Sequence, residues 1–282
     1  MGGCDQTSCV HGITKPGFER LSKTILTTLH GGAQNVSWHA SVALLAVSWQ
    51  GCRDAKIGVH VSYTLYNRSG AGGFVIEAVL ELAGAPYRLE NIASLPNEPL
   101  SDKIGHLNPW GQVPVLVLDD GTVMTELAAI LAYLAQVEPG LRDGPHLWID
   151  SDPLFLRWSV FLCVNAYEGI LRRTYPKRFC VTQGDEVADQ AMIASVTEAA
   201  EARTHEAFQC LEQGLGKGGF ILGARMSACD VLLAMLYAWH KKRPDLPRCT
   251  AITAHVAQHP VVQPIWHKNF ETRLSHKWHR DA

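Results

Sequence analysis

The 282-residue chain is 47% apolar and 18% charged. A packed core is therefore easily supplied, and the charged, apolar-poor composition of a disordered chain is excluded. A net charge of −2 leaves no positive field to hold a nucleic-acid backbone or an anionic membrane surface.

No uninterrupted apolar run reaches the roughly 18 residues of a membrane span, so no membrane association is expected. Residues 1–25 lack the basic-then-apolar order of a signal peptide. Eight cysteines form no C-x-x-C pair and fit no zinc framework, so they read as scattered reduced thiols of a cytoplasmic protein without a metal. His276 and His279 are spaced to share a helix face, but no third ligand lies near them in sequence. Lys241-Lys242-Arg243 reads as positive charge at a helix C-terminus.

Residues 1–62 show no sustained period and read as a poorly ordered extension. From Tyr63 the pattern sharpens. Tyr63-Thr64-Leu65-Tyr66 is β-branched and aromatic, a strand, and Ser69-Gly70-Ala71-Gly72-Gly73 is a turn. Phe74 to Ala83 is apolar at helical spacing and Gly84 stops it. Tyr87 to Ile92 is a second strand, and a βαβ unit implies that the two strands are parallel.

Pro96 to Leu107 is polar and irregular. Val113-Pro114-Val115-Leu116-Val117-Leu118 is a buried strand, Asp119-Asp120-Gly121 a hairpin turn, and Thr122 to Met124 the return. Pro114 cannot donate to a sheet ladder, so a cis bond is expected before it. Thr125 to Val137 is a buried helix, and Pro139 to Pro145 a linker. Beyond it the pattern is helical: Pro153 to about Tyr175, Glu186 to about Leu215, Ser227 to His240, and a shorter piece near Pro260 to Phe270. Ser227-Ala228-Cys229-Asp230 has the spacing of a capping box, which makes Asp230 a cap and not a catalyst.

Four segments in register resemble the cytosolic glutathione transferase superfamily, nearest to its bacterial, beta-like and related classes. They are the first strand with its Gly-rich turn, Asn108-Pro-Trp-Gly-Gln-Val-Pro114, Thr125-Glu126-Leu127-Ala128-Ala129-Ile130, and the Ser227–Asp230 box. The resemblance runs from Tyr63 to about Phe270. It implies an α/β thioredoxin-like domain at 63–138, an all-α domain at 150–272, a homodimer, and glutathione as co-substrate.

The resemblance also implies roles. The main chain of Val113, flanked by Gln112 and Pro114, would pair with the cysteinyl unit of glutathione. Glu126 would accept from the γ-glutamyl ammonium, and the Leu127 amide would hold the γ-glutamyl carboxylate. Leu127 replaces the family's usual serine and loses its hydroxyl. The family activates the thiol with a Tyr, Ser or Cys on the first turn, yet those positions fall on Ala71, Gly72 and Gly73. Ser69, or the backbone N–H groups of Gly72 and Gly73 at a helix N-terminus, are the candidates left. Trp158, Phe161, Tyr167 and Tyr175 are aromatic candidates for the pocket of a hydrophobic electrophile. The implied activity is glutathione conjugation, and the alternative is a non-catalytic binding or interaction module that has lost its thiol-activating side chain.

Overall fold

The computed structural model describes residues 63–92, 100–142, 153–181, 184–240 and 246–271. They fall within one compact unit, His60–Ala282. The expectation for residues 1–62 lies outside the described residues, as do Lys241 to Arg243, the His276 and His279 pair, and the linker beyond Arg142.

The sheet comes first. Strand β1 (Tyr63–Asn67) buries Tyr63, Leu65 and Asn67, the alternation its sequence calls for. Helix α1 (Gly73–Ala83) ends on Gly84 in the left-handed conformation at φ 64°. Strand β2 (Tyr87–Asn91) then pairs parallel to β1, with Leu65 opposite Leu89. A short helix α2 (Leu100–Ile104) lies in the segment read as irregular. Strands β3 (Val115–Val117) and β4 (Val123–Met124) form the expected hairpin.

β3 runs antiparallel to β1, giving the order β2-β1-β3-β4. Helix α3 (Leu127–Val137) follows. It starts two residues later than its pattern suggests, because Glu126 sits at φ 63°, ψ 110°, outside the helical region. Helix α4 (Pro139–Arg142) occupies the start of the expected linker. This is the thioredoxin-like arrangement that the resemblance implies.

The rest is helical. Helix α5 runs continuously over Pro153–Thr174, with a π-helical stretch at Leu162–Tyr167. By length and composition alone it qualifies as a membrane span. Its Phe155, Trp158, Leu162, Ala166 and Ile170 are instead buried in the core. Helix α6 (Glu186–Gly214) is capped by Asp185, whose carboxylate accepts from the N–H groups of Val187 and Ala188.

Helix α7 (Ala228–Trp239) is the centre of this region: all its residues but Ala238 are buried, as expected of a helix that is apolar on every side. The Ser227–Asp230 capping box forms as read. Asp230 accepts from Ser227 N–H and Oγ–H, each at 2.7 Å, and from Ile221 N–H at 2.8 Å. Helix α8 (Pro247–Gln258) was not visible in the pattern. Helix α9 (Gln263–Trp266) continues as a π-helical turn, His267–Glu271, that folds back onto α1.

Candidate functional site

The loop before β3 is built around buried Asn108. Its side-chain amide donates to Gln112 O at 2.9 Å, its Oδ1 accepts from Trp110 N–H at 3.1 Å, and its carbonyl accepts from Gly111 N–H at 2.8 Å. Gly111 takes φ 67°, a left-handed conformation that favours glycine. The Val113–Pro114 peptide is cis, as its position before the strand suggests. The β1–β3 ladder begins at Tyr66↔Val115, so Val113 lies beyond the paired residues.

Helix α3 points its first turn at the same place. A cavity of about 280 Å³ is lined by Gln112, Val113, Pro114, Glu126, Leu127 and Ala128 on one side. That volume is near the lower end of the range for small-molecule sites, roughly 300–1,000 Å³. One face of α5 closes the other side with Val160, Cys163, Val164, Tyr167, Glu168 and Leu171. These recur at helical spacing, which the sequence displays, but nothing in the sequence marks that face as a cavity wall. The π-helical stretch carries three of them, Cys163, Val164 and Tyr167, and such distortions are frequent at functional sites.

All five residues expected to hold glutathione therefore share one cavity. Glu126 is solvent-exposed at its edge. Leu127 is only 6% exposed and belongs also to the core cluster, which is where its departure from serine leads. Cys163 was not singled out from the sequence. Burial pushes its thiol up to about 11, with Glu126 adding to the shift, although the Ala128 N–H opposes it.

The thiol-activator candidates are placed differently. Ser69 does not line the cavity. Its hydroxyl donates to Lys268 O at 3.3 Å, and the neighbouring Gly70 N–H donates to Asn269 Oδ1 at 2.9 Å. Gly72 and Gly73 stand at the start of α1, and each is crowded by a different side chain. A β-carbon added at Gly73 would lie 2.2 Å from Asn67 Oδ1. One added at Gly72 would lie 2.6 Å from the Tyr167 hydroxyl oxygen and 3.4 Å from Cε1 and Cζ of that ring. Gly73 is thus required by sterics, whereas a β-carbon at Gly72 would have to displace the end of the Tyr167 side chain.

Among the aromatic candidates, only Tyr167 faces the cavity. Trp158 and Phe161, expected in an electrophile pocket, pack edge-to-face at 5.4 Å in and against the core. Their apolar area is better covered there than at an open wall. Tyr175 stacks under Arg178 at 4.2 Å. The Tyr167 ring rests against Trp239, centroids 5.6 Å apart. Burial first, then the Cys163 thiol, hold its phenol protonated far above the ordinary range, while Arg68 and the Gly72 N–H oppose the shift.

Known proteins share this architecture. Residues 75–137 match the family model for the glutathione S-transferase N-terminal domain. An uncharacterized GST-like protein, YncG of Escherichia coli K12, is 27% identical over 210 residues, covering 73% of this chain and 97% of its own. Glutathione S-transferase GstA of Escherichia coli O157:H7 is 23% identical over 207 residues, covering 71% and 94%. A glutathione transferase homologue from Sulfitobacter, solved with bound glutathione, aligns with a TM-score of 0.63 at 20% identity, over 74% of this chain and 99% of that one. The four-stranded sheet with the helical region behind it is the glutathione transferase fold, and within it residues 75–137 are similar to the glutathione S-transferase N-terminal domain.

Proposed function

We propose that the protein is a glutathione transferase that joins the glutathione thiolate to a hydrophobic electrophile. One observation carries this reading: Gln112, Val113, Pro114, Glu126 and Leu127 converge on a single cavity whose opposite wall is the apolar face of α5. The extended peptide of glutathione pairs with the main chain of Val113, which the β1–β3 ladder leaves beyond its end. The carboxylate of Glu126 takes the γ-glutamyl ammonium. The first-turn amides of α3, beginning at Leu127, take the γ-glutamyl carboxylate at the positive end of the helix.

Val160, Val164 and Leu171 offer apolar surface to the second substrate. Holding thiolate and electrophile side by side supplies most of the acceleration. We place the protein in the cytoplasm as a homodimer acting in detoxification, with its thiols reduced.

A second reading has a specific observation behind it. Ala71, Gly72 and Gly73 carry no donor side chain on the first turn, so a glutathione-binding module without turnover would have the same sequence there. Calorimetric titration with glutathione, followed by turnover of an electrophilic chloroarene, separates the two. Binding with turnover supports the enzyme; binding without it supports the module. Glu126→Ala should weaken glutathione binding about 10-fold or more, the worth of one hydrogen bond to a charged group. Unchanged affinity in that variant would remove Glu126, and with it the orientation of the ligand.

A further inference from the structure

We propose that the Tyr167 hydroxyl, reaching in from the helical region, is the group that donates to the glutathione sulfur. This rests on the reading that the cavity binds glutathione.

Three observations meet at one point. The first turn of α1 has no side-chain donor, because its residues are Gly72 and Gly73. The Tyr167 hydroxyl lies so close to Gly72 that a β-carbon there would come within 2.6 Å of it. Tyr167 also lines the cavity that holds Val113 and Pro114. A side-chain donor at position 72 and the hydroxyl of Tyr167 therefore compete for one space. The chain has filled it from the helical side. The Gly72 N–H acts on the same hydroxyl and favours negative charge there.

The chemistry suits the position. A phenol held protonated by burial stays a donor at neutral pH. Its O–H can point at the sulfur while its oxygen faces the Gly72 N–H. The thiol proton leaves to solvent water, and the tyrosine keeps its own. With 1-chloro-2,4-dinitrobenzene as probe, the thiolate sulfur forms a bond to the ring carbon, and chloride departs with the electron pair of the broken C–Cl bond. Arg68, which acts on Tyr167 electrostatically, adds a positive charge that favours the anion.

The experiment titrates the thiol of bound glutathione by its ultraviolet thiolate absorbance, in the full chain and three variants. In the unaltered protein, the thiol should titrate below the free value of about 8.5. Tyr167→Phe keeps the ring on Trp239 and removes only the hydroxyl. It should raise that value by about one to two pH units and lower kcat/KM at neutral pH about 10- to 100-fold, with little change in glutathione affinity.

Gly72→Ala keeps the hydroxyl but pushes it aside, and should shift the titration in the same direction. The double variant Tyr167→Phe with Gly72→Ser places a first-turn hydroxyl in the vacated space, and should recover part of the lost thiolate. If glutathione binds but neither single variant moves the titration, the tyrosine assignment is overturned and the cavity reading survives. If glutathione gives no calorimetric signal with the unaltered protein, both fall together.

Discussion

Leu127 and Glu126 are neighbours in sequence with opposite commitments. Glu126 is exposed and held at φ 63°, ψ 110°, a region that costs a non-glycine residue about 1–3 kcal/mol. That strain places its carboxylate at the mouth of the cavity while α3 begins with the next residue. Leu127 turns into the core at 6% exposure. Leu127→Ser should therefore do two things at once. It removes a buried side chain, costing about 2–5 kcal/mol of stability by analogy with other large-to-small core changes. It also supplies a hydroxyl to the γ-glutamyl carboxylate, tightening glutathione about 10-fold. Urea denaturation and calorimetry on the same preparation check both halves. A loss of stability with no gain in affinity would mean that the side chain at 127 does not reach the ligand. At this scale the sequence exposed one half of the site. Pro114, Glu126 and Leu127 each sit inside a local pattern of turn, strand or helix start. Tyr167 reads only as one aromatic among several, because its approach to Gly72 is created by packing between elements far apart in the chain.

The Gly-rich turn between β1 and α1 is held from outside by the end of α9. Asn269, 1% exposed, accepts from Gly70 N–H at 2.9 Å and donates to Ile265 O at 2.8 Å. Lys268 pairs with Glu77 of α1 at 3.1 Å. Burial pushes the Glu77 carboxyl up, and Lys268 opposes that. Phe74 packs edge-on against Trp266 and Phe270 at 5.7 and 5.0 Å. Asn269→Ala leaves the Gly70 amide buried without its partner, which costs about 1–3 kcal/mol. The expected outcome is a lowered melting temperature together with faster amide exchange at Gly70. Unchanged exchange would show that the turn keeps its shape without the clamp. The elements on both sides of this contact differed in legibility. β1, α1 and β2 carry the two periods and the Gly84 stop in full view. Helix α8 shows only Cys249, Ile252 and Val256 as buried anchors, behind a proline at its first turn, and that signal is too sparse to outweigh the polar residues between them. Helix α2 is five residues long, less than two turns, so no period can be read from it.

Asp230 ties the helical region together, and it does so against the cost of its own burial. It is fully buried within α7, accepts three hydrogen bonds, and joins the start of that helix to Ile221 in the preceding loop. Burial raises its carboxyl from the usual range to about 6, even though all those bonds act in the opposite direction. The unfolded carboxyl titrates near 3.9. Between those two values the folded protein holds a proton that the unfolded chain has released, so stability falls as pH rises. The contribution is fully present below about pH 4 and is lost as pH climbs through 6, amounting to about 3 kcal/mol for a shift of about two units. Asp230→Asn cannot reproduce the site, because an amide group would face Ser227 or Ile221 with N–H against N–H. The variant should be destabilised at every pH, but by about 3 kcal/mol more at pH 4 than at pH 7, since only the native protein gains from protonation on the acid side. Urea denaturation of both proteins across that range measures the difference directly. A cost that is flat with pH would mean that the buried carboxyl titrates where an exposed one does, and that its three donors just offset its desolvation.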